Sequence, residues 1–148
     1  TISVCFSKGL GAPIGSVLLG DAETMKRALR IRKIFGGNLR QSGYLAAAGL
    51  YALKNNIVRL ADDHRRAAEL CDILKQLSWV ESVEEPETNI LIFSVRAPLD
   101  EKTVIEKLKS KGILISSMGH GKLRMVTHLD YRQVMHEYVM EHLQKITF

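Results

Sequence analysis

Cysteine is nearly absent. Cys5 and Cys71 are the only two in 148 residues, which excludes a disulfide-built scaffold and makes a reduced chain the simpler expectation. Aromatic residues make up only 6% and do not interleave with the basic ones, which counts against a stacking platform for single-stranded nucleic acid. No apolar run reaches the length needed to cross a bilayer. No repeat or low-complexity tract is present, and no His/Cys/Asp cluster has metal-ligand spacing, so no metal is expected. No initiator methionine or charged-then-apolar leader precedes Thr1. The first residues already read as a strand, and the expectation is a chain that starts inside something larger.

What is present is a globular composition, 46% hydrophobic and 25% charged. The length suits one ordinary domain. The net charge of +5 is uneven: residues 1–66 hold 11 Lys/Arg against 4 Asp/Glu, whereas residues 67–148 hold 10 against 12. The densest part is Lys26, Arg27, Arg30, Arg32 and Lys33, followed by Arg40. Such a half could attract nucleic acid, an anionic surface or a phosphorylated small molecule, or could be a solvated helix face.

Apolar runs at 2–6 and 14–19 flank the turn SKGLGAP and predict two strands. Asp21 predicts the N-cap of a helix over 22–35 that Gly36 and Gly37 stop. A small-residue helix is expected over 40–54, broken by Asn55 and Asn56, and a long amphipathic one over 57–77. From there the pattern predicts strands at 80–84 and 89–95, a helix over 101–111 capped by Asp100, strands at 113–117 and 122–128, and a helix over 131–145. This order is α/β, and its second part suits a small domain with a mainly antiparallel sheet. The boundary falls in 57–80, with the long helix as a bridge.

Lys8 is the best chemical candidate. It stands at a strand end, preceded by Ser7 and followed by Gly9 and Gly11, so backbone can approach a ligand while the amine stays accessible. A lysine in such a place can form a Schiff base with a carbonyl, although spacing alone describes an ordinary surface residue better. Arg40 follows Gly36-Gly37 where a new helix opens, a place for a phosphate contact or for a solvated arginine. Arg124 lies in the run LRMVTH, where alternation puts Leu123, Met125 and Thr127 on one face and Arg124 with Val126 on the other. A substrate carboxylate would be its partner if it is buried, water if it stands at an edge. Among the histidines, His128 at the strand end and His120 between two glycines could approach a site or simply anchor backbone. His64, His136 and His142 read as ordinary helix residues, and Cys5 as buried filler.

The segments VCFSKGLGAPIGSVLLG, RIRKIFGGNLRQSGYLAAAGLYAL, RLADDH and LRMVTHLD, in this order, resemble low-specificity L-threonine aldolases. These are pyridoxal-phosphate enzymes of the aspartate aminotransferase fold type I. The resemblance implies that Lys8 holds pyridoxal 5'-phosphate as a Schiff base and that Arg124 grips the amino-acid carboxylate. It places Arg40 and Lys33 toward the cofactor phosphate at a subunit interface, in a homo-oligomer (dimer or tetramer) with shared active sites. It implies retro-aldol cleavage of a β-hydroxy-α-amino acid, L-threonine or L-allo-threonine, to glycine and acetaldehyde. The resemblance implies an acidic partner for the cofactor ring nitrogen in the segment before the Schiff-base lysine, whereas only seven residues precede Lys8 here and none is acidic or a histidine. The chain is therefore expected to be the C-terminal part of the enzyme, inactive alone. Residues 1–56 would be the tail of the large cofactor-binding domain and 57–148 the small C-terminal domain, with 57–77 the bridging helix. No nucleic-acid or membrane partner is expected. The cytoplasm is the simpler location, with a mitochondrial one left open. The alternatives are another fold-type-I pyridoxal-phosphate lyase or transferase, and a non-enzymatic basic interaction module.

Overall fold

The structure is a computed structural model that describes residues 1–148 and separates into two units, Thr1–Leu60 and Ala61–Phe148. In the first unit, β1 (Ile2–Cys5) and β2 (Ser16–Leu19) pair antiparallel, with Val4 opposite Val17. Helix α1 (Ala22–Ile34) starts where predicted because the Asp21 carboxylate accepts the Thr24 backbone N–H at 2.8 Å. Helix α2 (Gly43–Asn55) starts three residues later than the sequence pattern suggests. Gln41 holds φ +54°, which breaks the helical path between Arg40 and Gly43. Leu10, Ala12 and Ala52 form a small core with Phe6 and Leu60 packed against it. Gly49 of α2 faces Phe6 so closely that a Cβ there would stand 3.2 Å from the ring. Cys5 is half-buried rather than buried, and its thiol lies 3.4 Å from the Ser16 hydroxyl.

The second unit carries α3 (Leu60–Leu74, of which Leu60 belongs to the first unit), β3 (Val80–Glu84), β4 (Ile90–Val95), α4 (Glu101–Lys109), β5 (Ser116–Gly119), β6 (Lys122–Val126) and α5 (Gln133–Lys145). Its four strands pair antiparallel in the order β3-β4-β6-β5. The mixed α/β architecture with a mainly antiparallel sheet is the one the element order predicts. One face of the sheet supplies Leu91, Phe93, Val95, Leu123 and Met125 to a core that Leu70 and Leu74 of α3, Val104 and Leu108 of α4, and Val139 and Leu143 of α5 complete.

Strand β5 lies three residues beyond the start of the predicted 113–117 run. The reason is a cap. Gly112 takes φ +74°, and the Ile113 N–H turns back to donate to the Leu108 carbonyl at 3.0 Å, closing α4. Ile113 is buried in the core, so its side chain and its N–H are both committed before the ladder begins. No helix is long and apolar enough to cross a membrane.

Phe93 is 1% exposed, lies at the centre of this core, and meets Trp79 edge-on at 6.1 Å between ring centres. Phe93→Ala is expected to lower the unfolding free energy by about 3–5 kcal/mol in urea titrations, through lost transfer energy and the cavity left behind. A loss below about 1 kcal/mol would show that the sheet and helices do not share this core.

Candidate functional site

Lys8 rides on the turn that joins β1 to the 6–15 loop. The turn is closed by backbone hydrogen bonds from Gly11 N–H to the Lys8 carbonyl (2.8 Å) and from Ala12 N–H to the Phe6 carbonyl (2.9 Å). Gly11 sits at φ +69°, a conformation that favours glycine. The buried side chains of Leu10 and Ala12 anchor the downstream half of the turn. Two residues far along the chain hold it as well: Asn56 Nδ2 donates to the Leu10 carbonyl at 2.7 Å, and Arg59 Nη1 donates to the Gly9 carbonyl at 3.2 Å. Sequence reading missed both. Asn56 reads only as a helix breaker, and Arg59 only as the first residue of the RLADDH segment with no role of its own, since separations of 46 and 50 residues leave no local signal. The Lys8 side chain is exposed and makes no hydrogen bond or ion pair, so a firmly held backbone presents a free amine.

Lys33 stands in the last turn of α1 and Arg40 in the bend before α2, both exposed and neither paired. The Ser42 side chain, two residues after Arg40 in sequence, makes no cap hydrogen bond to the first amides of α2. N–H groups and a cation at a helix start suit an anionic oxygen. Lys8, Lys33 and Arg40 belong to the first unit and Arg124 to the second.

Arg124 lies mid-strand in β6, opposite Ile92 of β4 and Ser116 of β5. Burial alternates along β6 as expected. Leu123 and Met125 turn into the core, while Lys122, Arg124 and Val126 face the open side of the sheet. Lys122, two residues away on that face, is already engaged with Glu84 at 2.6 Å. Arg124 has no such partner and is flanked by half-buried Ile92 and by Val126. On this face it is the cation left free for an incoming carboxylate, and its planar fork can take both oxygens.

The end of β6 is tied down. Thr127 is buried and its hydroxyl donates to the Asp63 carbonyl at 2.7 Å, while Asn89 Nδ2 donates to the Thr127 carbonyl at 2.7 Å. His128 is exposed and accepts the Asp130 backbone N–H at 3.3 Å, a local turn contact. His136 is not an ordinary helix residue. It is fully buried between Glu69 (2.7 Å) and the Tyr131 hydroxyl (3.2 Å). Burial pushes the Tyr131 phenol up to about 12, against a smaller opposing effect of Arg66. Burial also works to raise the Glu69 carboxyl, but hydrogen bonds from Arg65 and His136 outweigh it and hold the group below its ordinary range.

His120 takes φ +55° at the tip of the β5–β6 turn. Glu101, the first residue of α4, accepts the Ser117 hydroxyl and the Gly121 N–H, and these two bonds hold its carboxyl below the usual range. A carboxyl depressed by folding stabilises the fold above its unfolded pKa, and that contribution is lost as pH falls through the lower folded value. Urea midpoints followed from neutrality to about pH 3 are therefore expected to fall less steeply in Glu101→Gln than in the parent chain. Parallel slopes would remove Glu101 as the clamp on this turn.

A family model described as beta-eliminating lyase matches residues 1–98. Low specificity L-threonine aldolase of Escherichia coli (strain K12) is 44% identical over 131 residues, covering 88% of this chain and 38% of that protein. Probable low-specificity L-threonine aldolase 2 of Arabidopsis thaliana is 36% identical over 151 residues, covering 99% of this chain and 42% of that protein. The chain thus spans about two fifths of the length of these curated relatives. Among solved structures, a putative aromatic amino acid beta-eliminating lyase/threonine aldolase from Exiguobacterium sp. 255-15 matches with a TM-score of 0.67 at 21% identity, over 97% of this chain and 44% of that one. The 8-amino-7-oxononanoate synthase of Francisella tularensis matches with a TM-score of 0.67 at 19% identity, over 97% and 44%. At these identities the structural matches establish the fold alone.

Proposed function

The chain belongs to the beta-eliminating lyase family, and from that premise we propose that it is the C-terminal part of a pyridoxal-phosphate-dependent aldolase that cleaves L-threonine or L-allo-threonine to glycine and acetaldehyde. The observation that carries this reading is Lys8: an exposed, unpaired amine on a turn whose backbone is held at Lys8, Gly9 and Leu10. That arrangement fits the group. A primary amine must be free to condense with the cofactor's carbonyl, and its backbone must not drift once it has done so. The two curated relatives named above supply the choice of aldol cleavage over other lyase reactions.

Each residue then has a task of its own. Lys8 would hold the cofactor covalently and yield it to the substrate amine. Arg40 and Lys33 would neutralise the phosphate, with the uncapped amides of α2 as further donors. Arg124 would bind the substrate carboxylate bidentately, which fixes how the α-carbon substituents are presented. The cofactor, when bound, supplies an electron sink for the pair left on the α-carbon when the Cα–Cβ bond breaks. Residues 1–56 would be the tail of the large cofactor-binding domain and residues 57–148 the small C-terminal domain. The working enzyme would be a homo-oligomer whose copies share active sites, in the cytoplasm.

The test is the full-length enzyme reconstituted with pyridoxal phosphate and given L-threonine. Glycine and acetaldehyde in equal amounts are expected. 2-Oxobutyrate with ammonia would mark an eliminating enzyme on the same scaffold, and salt-sensitive binding of an acidic partner without cofactor uptake would mark a basic interaction module.

A further inference from the structure

We propose that Asn56 and Arg59, which close α2 and lead into α3, are positioning residues for Lys8; the proposal rests on the reading of Lys8 as the cofactor lysine. The 9–10 and 10–11 peptide planes lie just beyond Lys8, and no backbone hydrogen bond of the turn reaches their carbonyls. Gly9 has no side chain to pack, and a Cβ there would stand 3.1 Å from Leu60 Cδ2, a tight approach. That close approach brings the 56–60 segment against the turn and lets two side chains reach the carbonyls. Arg59 takes the Gly9 oxygen and Asn56 takes the Leu10 oxygen. Asn56 is itself fixed, because its own N–H caps α2 at the Ala52 carbonyl at 2.9 Å. Ala52 is 1% exposed in the core beneath, so the grip is referred to the packed interior of the first unit rather than to a loose loop.

The consequence concerns direction. Gly9, with no side chain to resist it, would pass a rotation of the 9–10 peptide plane on to the 8–9 plane and so tilt the Lys8 Cα–Cβ bond, and four methylenes amplify the tilt at Nζ. A displacement of about 1 Å in a reacting group costs up to about a hundredfold in rate. Loss of the grip therefore acts on turnover by bound cofactor, and leaves recognition of the substrate carboxylate at Arg124 intact.

The experiment uses the full-length enzyme and four variants: Asn56→Asp, which keeps the shape but replaces the donating amide with an acceptor; Arg59→Ala; Arg59→Lys; and Lys8→Ala as control. For each, bound cofactor, the induced circular dichroism of its visible band per bound cofactor, and kcat and KM per bound cofactor are measured with the melting temperature. Asn56→Asp and Arg59→Ala are expected to change the dichroism of the band and to lower kcat about tenfold or more with KM near the parent value, and Arg59→Lys to recover part of both. Unchanged dichroism and kcat per bound cofactor in Arg59→Ala would overturn the proposal whatever the melting temperature does, and the Arg59 pair decides it even if Asn56→Asp fails to fold. A band that survives in Lys8→Ala would instead overturn the reading of Lys8. A band lost there, but unaltered by the Arg59 and Asn56 changes, overturns the positioning role alone.

Discussion

Lys8→Ala in the full-length enzyme is expected to abolish the visible absorbance of lysine-bound cofactor and to lower kcat/KM by about a thousandfold or more. The size follows from what is removed. The amine makes no hydrogen bond or ion pair within residues 1–148 that its loss would disturb, because it is exposed and unpaired there. The turn is held by backbone bonds, by Leu10 and Ala12, and by Asn56 and Arg59, none of which involves the Lys8 side chain. The variant should therefore fold and melt like the cofactor-free parent, and a large loss of activity would be chemical rather than structural. Residual cofactor held by Arg40 and Lys33 through its phosphate would be released on dialysis. Near-normal activity with a retained visible band would show that another lysine carries the cofactor.

Arg124→Ala is expected to raise KM for L-threonine by about a hundredfold while cofactor content and the visible band remain. Truncating one partner of a hydrogen-bonded charge pair that a bound substrate buries costs about 2–5 kcal/mol, and the low end of that range already corresponds to the expected rise. Lys122 cannot replace it from the same face, since Glu84 already holds that ammonium at 2.6 Å. Arg124→Lys should fall between the two, because an ammonium keeps the charge and loses the two-pronged geometry. Stability should change little, as the side chain is exposed and on the face of the sheet opposite the core. Kinetics equal to the parent's would remove Arg124 from substrate binding.

Legibility differed by the range of the interaction. Helices α1 and α4 could be placed from sequence because Asp21 and Asp100 each accept an N–H only three residues ahead, at 2.8 and 2.7 Å. The alternation along LRMVTH gave the faces of β6 because the pleat has period two regardless of neighbours. The start of β5 was not legible, since the chain uses the Ile113 N–H to close α4 before pairing begins. The interior position of His136 was not legible either. Its partners Glu69 and Tyr131 come from α3 and from the loop before α5, and only one is near in sequence. For the candidate site, Lys8 and Arg124 could be singled out from their local runs. That Lys122 is taken by Glu84, leaving Arg124 free, depends on a pairing 38 residues apart. The grip of Asn56 and Arg59 on the Lys8 turn is of the same kind. It depends on two side chains meeting carbonyls, and carbonyls carry no sequence signature.

Attachment of the cofactor to the Lys8 amine has a direct chemical test. Borohydride reduction makes a carbon–nitrogen double bond between lysine and cofactor permanent, and digestion followed by mass spectrometry then locates it. The account predicts a phosphopyridoxyl group on the peptide that contains Lys8, and on no other lysine. The same mass on a peptide carrying Lys33, Lys54 or any other lysine, or its absence from a full-length enzyme that has taken up cofactor, would contradict it.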